Sequence, residues 1–319
     1  MSSAQGSIFR TTRLLSSIAI AAVVTLSLIF QQLIDNSSLT WQVALAIIAL
    51  AIGIPHGALD HLVTLPRTNA RRMAIFISIY VLIALLAAWL IFTWNVAGFV
   101  GVVAMSALHF GVGDAAFISI DDRVKGAPKA SRITQGLYAL SAGSLPVIIP
   151  LTNEKSVSAL EEVNPRLVNW HGGWDRELIL LVIAVMSCAL VALALSQRWR
   201  DFIDVSLLAA LAFIAPPLVA FAAYFGLWHA MRHTARLTLN LKKSQESIAS
   251  NLPRRAFLQA IIPGIPALIG TFAVAVLIAM HNPEKVSNDL LWNLLVIVWA
   301  LTVPHMLSTS RLDKADLAS

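Results

Sequence analysis

Five of the eight histidines in this 319-residue chain lie within long apolar segments. A polar ring inside a membrane-length segment is costly and usually faces other protein groups, where it marks a candidate functional site. Two of the five, His229 and His233, are four residues apart, so one helix would present both rings on the same face. Neutral imidazole is a ligand for zinc, copper, iron and nickel. The set His56, His109, His229, His233 and His305 therefore predicts an intramembrane metal site.

The segments that carry these histidines belong to a chain with the composition of a membrane protein. Hydrophobic residues make up 58% of the chain, charged residues make up 13%, and the mean hydropathy is +0.76. Apolar runs of about 20 residues recur along its length, and each can cross roughly 30 Å of hydrocarbon as a helix. We predict an all-α, polytopic transmembrane helical bundle that forms a single integral membrane domain over residues 1–319. The ten predicted spans, with boundaries accurate to a few residues, cover 14–34, 41–64, 73–95, 97–118, 132–151, 178–196, 202–215, 217–238, 261–281 and 289–309.

The loop charges predict how these spans are oriented. Nineteen of the 23 Lys and Arg residues fall on one side of the predicted membrane, among them Arg13, Arg198 and Arg236. The other side has only Lys155, Arg166, Arg176 and Lys285. Cytoplasmic loops are enriched in Lys and Arg, so both termini are predicted to be cytoplasmic in a multi-pass protein of the cell inner membrane. This topology explains the net charge of +6. Nucleic acid binding is not expected, because the basic residues form short clusters and no continuous stripe.

Three further features constrain the bundle. The N-terminal apolar run is too long for a typical signal peptide and lacks a small-residue cleavage site, so it is predicted to remain as the first span. Pro216 and Pro217 remove two backbone donors and predict a tight turn between spans seven and eight. The external loop at about 152–177 contains Trp170 and Trp174. Trp is favoured at the membrane interface, so the loop is predicted to cap the bundle there, with a substrate lid as the alternative.

The predicted orientation brings the five histidines to one depth. Each lies on an even-numbered span, which runs from outside to inside, at the 13th to 17th position of that span. At about 1.5 Å of rise per residue, these positions cover roughly 6 Å of depth. The rings therefore share one layer in the inner half of the membrane. A shared layer favours one metal site over five separate interhelical hydrogen bonds.

Two acidic residues and the last histidine complete the candidate site. Asp60 and Asp114 lie four and five residues after the first two histidines, where carboxylates could orient ligand imidazoles and offset the charge of an ion. The alternative is that they cap helix ends or pair with loop arginines such as Arg67 and Arg123. His305 either ligates the ion or lines the pocket beside it, since the other four histidines already suffice as ligands.

Four motifs contain these histidines, namely GIPHGALDH at 53–61, LHFG at 108–111 followed by Asp114, YFGLWHAMRH at 224–233 and VPHM at 303–306. Together, and in this order, they resemble the bacterial and archaeal Brp/Blh family of membrane β-carotene 15,15′-dioxygenases. The resemblance implies oxidative cleavage of β-carotene at its central double bond, with O₂ and Fe(II), to give two molecules of retinal. It also implies a retinal-binding rhodopsin as a functional partner. The iron ligands that it implies are His56, His109, His229 and His233.

A hydrocarbon substrate dissolved in the lipid bilayer could reach such a site laterally, through an apolar slot whose length and shape place the scissile bond. Aromatic residues near the histidine motifs are candidate walls of this slot. Ordinary core packing is the alternative role for each of them. They are Phe110, Tyr224, Phe225, Trp228, Trp292 and Trp299.

Three other classes of intramembrane metal protein also contain histidine-rich helices. A di-iron desaturase or hydroxylase needs more ligands than five intramembrane histidines provide. A bis-histidine haem protein for electron transfer would pair histidines two to three turns apart along one span, and this spacing does not occur here. A metal transporter would spread His and Asp through the membrane thickness, whereas the histidines of this chain are predicted at one level.

Overall fold

A computed structural model describes residues 3–30, 69–270 and 290–318, together with positions 41, 42, 45, 48, 49, 53, 57, 59, 60, 62 and 273. In these parts of the chain every regular element is a helix. His56 lies outside the described residues, and the predicted spans 41–64 and 261–281 are described only in part. The all-α prediction is confirmed for the described residues.

Between residues 69 and 261 the described helices are joined by turns and short irregular segments. Single 3₁₀ turns lie at Glu154–Ser156, Pro165–Leu167 and Ile262–Gly264, and a π-helical segment covers Tyr224–His229. The described α-helices are α1 (Ser3–Phe30), α2 (Ala70–Thr93), α3 (Asn95–Lys125), α4 (Arg132–Leu151), α5 (Val157–Val163), α6 (Asp175–Leu195), α7 (Trp199–Ile214), α8 (Pro217–Ala223), α9 (Ala230–Leu237), α10 (Lys242–Ala249), α11 (Pro253–Ile261) and α12 (Leu290–Ala318).

Six of the described helices are long and apolar enough to cross a membrane. They are Ser3–Phe30, Ala70–Thr93, Asn95–Lys125, Arg132–Leu151, Asp175–Leu195 and Leu295–Ala318. They coincide with six of the ten predicted spans, although α1 begins eleven residues before the predicted start of span one. Predicted spans seven and eight are helical but shorter or interrupted, and they are not among the six. The described residues are therefore helical, and the six apolar helices indicate a membrane protein, while the number of ten spans stays a prediction.

The break between predicted spans seven and eight lies at the two prolines, as the sequence indicates. Helix α7 ends at Ile214, and Ala215 and Pro216 have extended backbone conformations. Pro217 then occupies the first helical position of α8, where its missing N–H group leaves no hydrogen bond unmade. This turn starts the helical run that leads through the π segment to His229 and His233.

Helices α3 and α4 approach each other backbone to backbone. A Cβ atom built at Gly111 would lie 1.8 Å from the carbonyl oxygen of Ala139, and one built at Gly143 would lie 1.8 Å from that of Ala107. Small residues at such a crossing let transmembrane helices pack closely. The crossing holds the part of α3 that carries His109 against α4.

Arg13 forms the centre of a buried ionic network that joins three helices. Its guanidinium lies 3.0 Å from the carboxylate of Asp121 on α3 and 2.9 Å from that of Asp204 on α7, and it also pairs with Asp201. Arg13 is only 3% exposed. The sequence placed Arg13 in a loop ahead of the first span, whereas it lies within α1 and pairs with carboxylates on neighbouring helices. Its side of the membrane stays a prediction.

Two other arginines that were counted with the loops are also paired. Arg198 contacts Asp122 and Asp201, each at 2.6 Å. Burial of Arg198 opposes its charge, but the two carboxylates outweigh burial and raise the pKa of its guanidinium above the ordinary value. Arg236 on α9 binds Asp313 and Asp316 of α12, each at 2.7 Å. These pairs fix α7 against α3, and α12 against the helix that carries His233.

Candidate metal centre

Four imidazole rings from separate parts of the fold meet inside the bundle. His109 lies on α3, His229 ends the π segment, His233 lies on α9 and His305 lies on α12, and all four are buried. The ring centroid of His109 lies 5.2 Å from that of His229, 6.5 Å from that of His233 and 5.1 Å from that of His305. The centroid of His233 lies 6.0 Å from that of His229 and 5.8 Å from that of His305.

The π segment Tyr224–His229 sets the position of His229. The backbone N–H of Ala230 donates to the carbonyl of Phe225, five residues earlier, in place of the usual α-helical partner four residues earlier. Such wide turns are rare and occur frequently at functional sites. The next residues return to α-helix, and the rings of His229 and His233 stack at an interplanar angle of 28°. The four-residue spacing of His229 and His233 predicted that both rings lie on one face of the helix, but no sequence signal predicted the π turn.

Asp114 attaches the π segment to α3. One of its carboxylate oxygens, Oδ2, accepts hydrogen bonds from the indole N–H of Trp228 at 2.7 Å and from the hydroxyl of Tyr224 at 3.3 Å. From sequence alone, Asp114 was a candidate partner of an imidazole, a helix cap or a partner of Arg123. The structure instead shows it bonded to the two aromatic residues that precede His229, so it fixes that histidine relative to His109.

Arg232 lies between His229 and His233 in the sequence, and its side chain ties this helical run to α1 and α7. Its guanidinium carbon lies 3.4 Å from the centroid of the Trp228 ring, an arrangement in which a cation is attracted to the aromatic face. Its Nη2 atom lies 3.2 Å from Asp204, and its Nε donates to the hydroxyl of Ser16 at 3.1 Å. The buried ionic network thus reaches the helix that presents His229 and His233.

Thr309 of α12 orients the ring of His109. Its hydroxyl oxygen lies 3.3 Å from Nδ1 of His109 and within 3.2 Å of the carbonyls of His305 and Met306. A hydroxyl has one proton, and donating it to a carbonyl leaves the oxygen to accept from the ring. This assigns the proton of His109 to Nδ1 and the lone pair to Nε2.

Asp60 and Tyr80 hold His305 in the same way. Both carboxylate oxygens of Asp60 lie 3.0 Å from Nδ1 of His305, and the hydroxyl of Tyr80 lies 3.2 Å from Oδ2 of Asp60. A Cβ atom built at Gly57 would lie 3.6 Å from the His305 ring, so this part of the chain packs directly on the imidazole. The partner of Asp60 among the described histidines is therefore His305. The predicted relation of Asp60 to His56 falls on a residue outside the described part of the chain.

The candidate wall residues divide into three pairs. The ring of Phe110 lies 4.6 Å from that of His229, and Phe225 stacks on His229 at 6.4 Å. Tyr224 and Trp228 are fully buried and bound to Asp114. The remaining pair lies in an aromatic cluster with Phe99, in which Trp299 is 5.3 Å from Phe99 and 6.0 Å from Trp292.

The four rings fit the ligand chemistry of an imidazole-bound iron. A metal-bound histidine nitrogen lies about 2.1 Å from the ion and the ring centre roughly 1 Å further, so two rings on one ion have centres up to roughly 6.5 Å apart. Every pair that includes His109 or His233 falls within that limit. Among the residues that the structure describes, no group of three or more His, Cys, Asp or Glu side chains is placed so that it could hold a metal ion as it stands. The rings therefore lie near one another without forming a metal-binding group.

Comparisons with known proteins give a consistent result. A family model described as beta-carotene 15,15′-dioxygenase matches residues 46–313. The probable beta-carotene 15,15′-dioxygenase Blh of Halobacterium salinarum is 25% identical over 305 residues, covering 84% of this chain and 83% of that protein. The beta-carotene 15,15′-dioxygenase of the uncultured marine bacterium 66A03 is 26% identical over 279 residues, covering 83% and 90% of the two chains. No solved structure matches the chain.

Proposed function

Because the chain belongs to the β-carotene 15,15′-dioxygenase family, we propose that it is a membrane enzyme that cleaves β-carotene at the central double bond. The reaction consumes one O₂, breaks the 15,15′ bond and places one oxygen atom on each of the two carbons, so that the products are two molecules of retinal. The observation that carries this proposal is the family match, which extends over residues 46–313 and includes every motif of the histidine set.

The ligands of the proposed iron are His56, His109, His229 and His233. Support comes from the convergence of the last three rings and from the resemblance of the four histidine motifs to the Brp/Blh family. Bound Fe(II) would supply the electrons that make O₂ reactive toward an alkene. Four ligands leave coordination positions open, which is the property that distinguishes a catalytic metal site from a closed structural one.

The protein groups around the rings hold the site and exclude water from it. Thr309 fixes the tautomer of His109, and Asp114 fixes the helical run that presents His229. Phe110 and Phe225 provide apolar contact surface beside His229. In this proposal they line the end of a slot that opens to the bilayer, and β-carotene is positioned by shape alone because it has no polar group.

The arrangement in the membrane is part of the same proposal. We propose ten spans in one integral membrane domain over residues 1–319, with both termini in the cytoplasm and the protein in the inner membrane. The six candidate spans and the alternating loop charges support it. Retinal released into the bilayer would be available to a rhodopsin-type protein.

Production of retinal in β-carotene-producing cells tests the proposal. Cells that express the chain are expected to convert β-carotene to retinal, and cells that express His229→Ala are expected to keep their β-carotene. His171→Ala is the matched control, because His171 lies in the external segment against Trp170 and is expected to leave retinal formation unchanged. Cells with the folded wild-type protein and undiminished β-carotene would contradict the proposed function.

A further inference from the structure

We propose that His305 is an additional ligand of the iron, oriented by Asp60 and Tyr80. This inference rests on the proposed function for the presence of iron, and it goes beyond the ligand set that the family resemblance implies. It concerns α12, which the resemblance does not connect with metal binding.

The first argument is the position of the ring. The centroid of His305 lies 5.1 Å from that of His109 and 5.8 Å from that of His233. These separations are no longer than the 5.2 to 6.5 Å that separate His109, His229 and His233 from one another. His305 therefore belongs to the same group of converging imidazoles.

The second argument is the orientation of the ring. An ionised carboxylate can only accept hydrogen bonds, and both oxygens of Asp60 lie 3.0 Å from Nδ1 of His305. The proton of the neutral ring is therefore on Nδ1, and the lone pair is on Nε2. Metal-binding histidines commonly donate their second ring N–H to a carboxylate, which fixes the tautomer and increases the basicity of the ligand. The hydroxyl of Tyr80, 3.2 Å from Oδ2, holds the carboxylate in turn.

The third argument is charge. The other proposed ligands are neutral imidazoles, so a divalent ion among them would have no anionic ligand to offset its charge in a medium of low dielectric constant. Asp60 is buried and in direct contact with a ring of the group. Its negative charge is placed where it can offset the ion without occupying a coordination position.

Iron binding by purified full-length variants tests the inference. Wild type, His305→Ala, Asp60→Asn and His171→Ala are loaded with Fe(II) without oxygen. The apparent dissociation constant is measured by titration, and the number of bound imidazoles by X-ray absorption. We expect His305→Ala to lose one imidazole and to bind Fe(II) at least about tenfold more weakly, and Asp60→Asn to bind it about 10–100-fold more weakly. The control His171→Ala is expected to match wild type. An unchanged imidazole count and affinity in His305→Ala would overturn the inference.

Two additional measurements keep the result decisive. The melting temperature of each metal-free variant separates loss of the ligand from loss of the fold. If His305→Ala does not fold, Asp60→Asn decides, because a folded Asp60→Asn variant with wild-type affinity would also overturn the inference. Addition of free imidazole to His305→Ala is expected to restore iron binding in part.

Retinal formation is measured on the same preparations so that the two proposals can fail separately. Retinal from wild type together with unchanged iron binding in His305→Ala would overturn the role of His305 and leave the proposed function intact. If iron binding depends on His305 but the wild-type protein forms no retinal, the role of His305 as a ligand is supported and the proposed function is contradicted.

Discussion

Trp228 donates its indole hydrogen to Asp114 across 2.7 Å and thereby ties the π segment to the helix that carries His109. Both residues are buried, and the same carboxylate oxygen also accepts the hydroxyl of Tyr224. The distance between His109 and His229 therefore depends on a contact that involves neither ring.

Replacement of Trp228 by Phe tests that contact. Trp228→Phe keeps an aromatic ring but removes the donor and reduces the contact with the Arg232 guanidinium. Removal of a hydrogen-bond partner from a buried carboxylate lowers the free energy of unfolding by about 1–3 kcal/mol. We therefore expect a lower melting temperature and weaker Fe(II) binding. Trp174→Phe, at an exposed position just before α6, is the control. Equal melting temperatures and iron affinities for the two variants would show that the contact is dispensable.

The ionic network predicts an effect far from the histidines. Arg13→Gln leaves Asp121, Asp201 and Asp204 buried without the guanidinium that joins them. Removal of one partner from a buried ion pair typically costs about 3–5 kcal/mol. We expect a large fall in the melting temperature of the detergent-solubilised protein. Arg10→Gln, an exposed position on the same helix, is expected to leave it nearly unchanged. The role assigned to the network fails if both variants melt together.

Thr309 allows a test of how His109 is oriented. Thr309→Val preserves the shape of the side chain and removes the oxygen that accepts from Nδ1 of His109. Loss of such a partner typically weakens metal binding about 10–100-fold. Thr302→Val on the same helix is the matched control, because the Thr302 hydroxyl bonds only its own helix at Val298 among the described contacts. Fe(II) titration of both variants measures the difference, and identical affinities would contradict the assigned tautomer.

The crossing of α3 and α4 predicts opposite results for two glycines on one helix. Gly111→Ala places a methyl group 1.8 Å from a backbone oxygen of α4, so the helices must separate and the melting temperature is expected to fall. A Cβ atom at Gly101 would meet nothing within 4 Å among the described atoms. Ala is the better helix former by up to about 1 kcal/mol, so Gly101→Ala is expected to be neutral or stabilising. A Gly111→Ala variant as stable as wild type would show that the crossing tolerates a wider separation.

The sequence alone predicts the histidines at one depth, because depth follows from helix rise and from span boundaries that need only be accurate to a few residues. The structure places the ring of His109 near those of His229 and His305, and the ring of His233 near that of His305. It adds the specific partners, such as Asp60 with His305, which depend on how α12 packs and have no signature in local sequence.

Arginine pairing and the π turn could not be predicted from sequence for a related reason. Arg13 directly precedes an apolar run, which is where residues that flank a membrane span are expected. Its burial depends on Asp121 and Asp201, which lie about 108 and 188 positions later in the chain. The π turn at Tyr224–His229 contains both aromatic partners of Asp114, which lies about 110 positions earlier in the chain. In both cases the partner lies on a distant helix, which the local sequence does not reveal.

The central claim is that imidazoles within the membrane hold an iron that this chain requires for cleavage of β-carotene. The most direct test strips the purified protein with a chelator and restores Fe(II) stepwise, while bound iron per chain and the initial rate of retinal formation are measured together. The account predicts no retinal from the stripped protein and a rate that rises in proportion to bound iron until one ion is bound per chain. Undiminished retinal formation by the iron-free protein would contradict it.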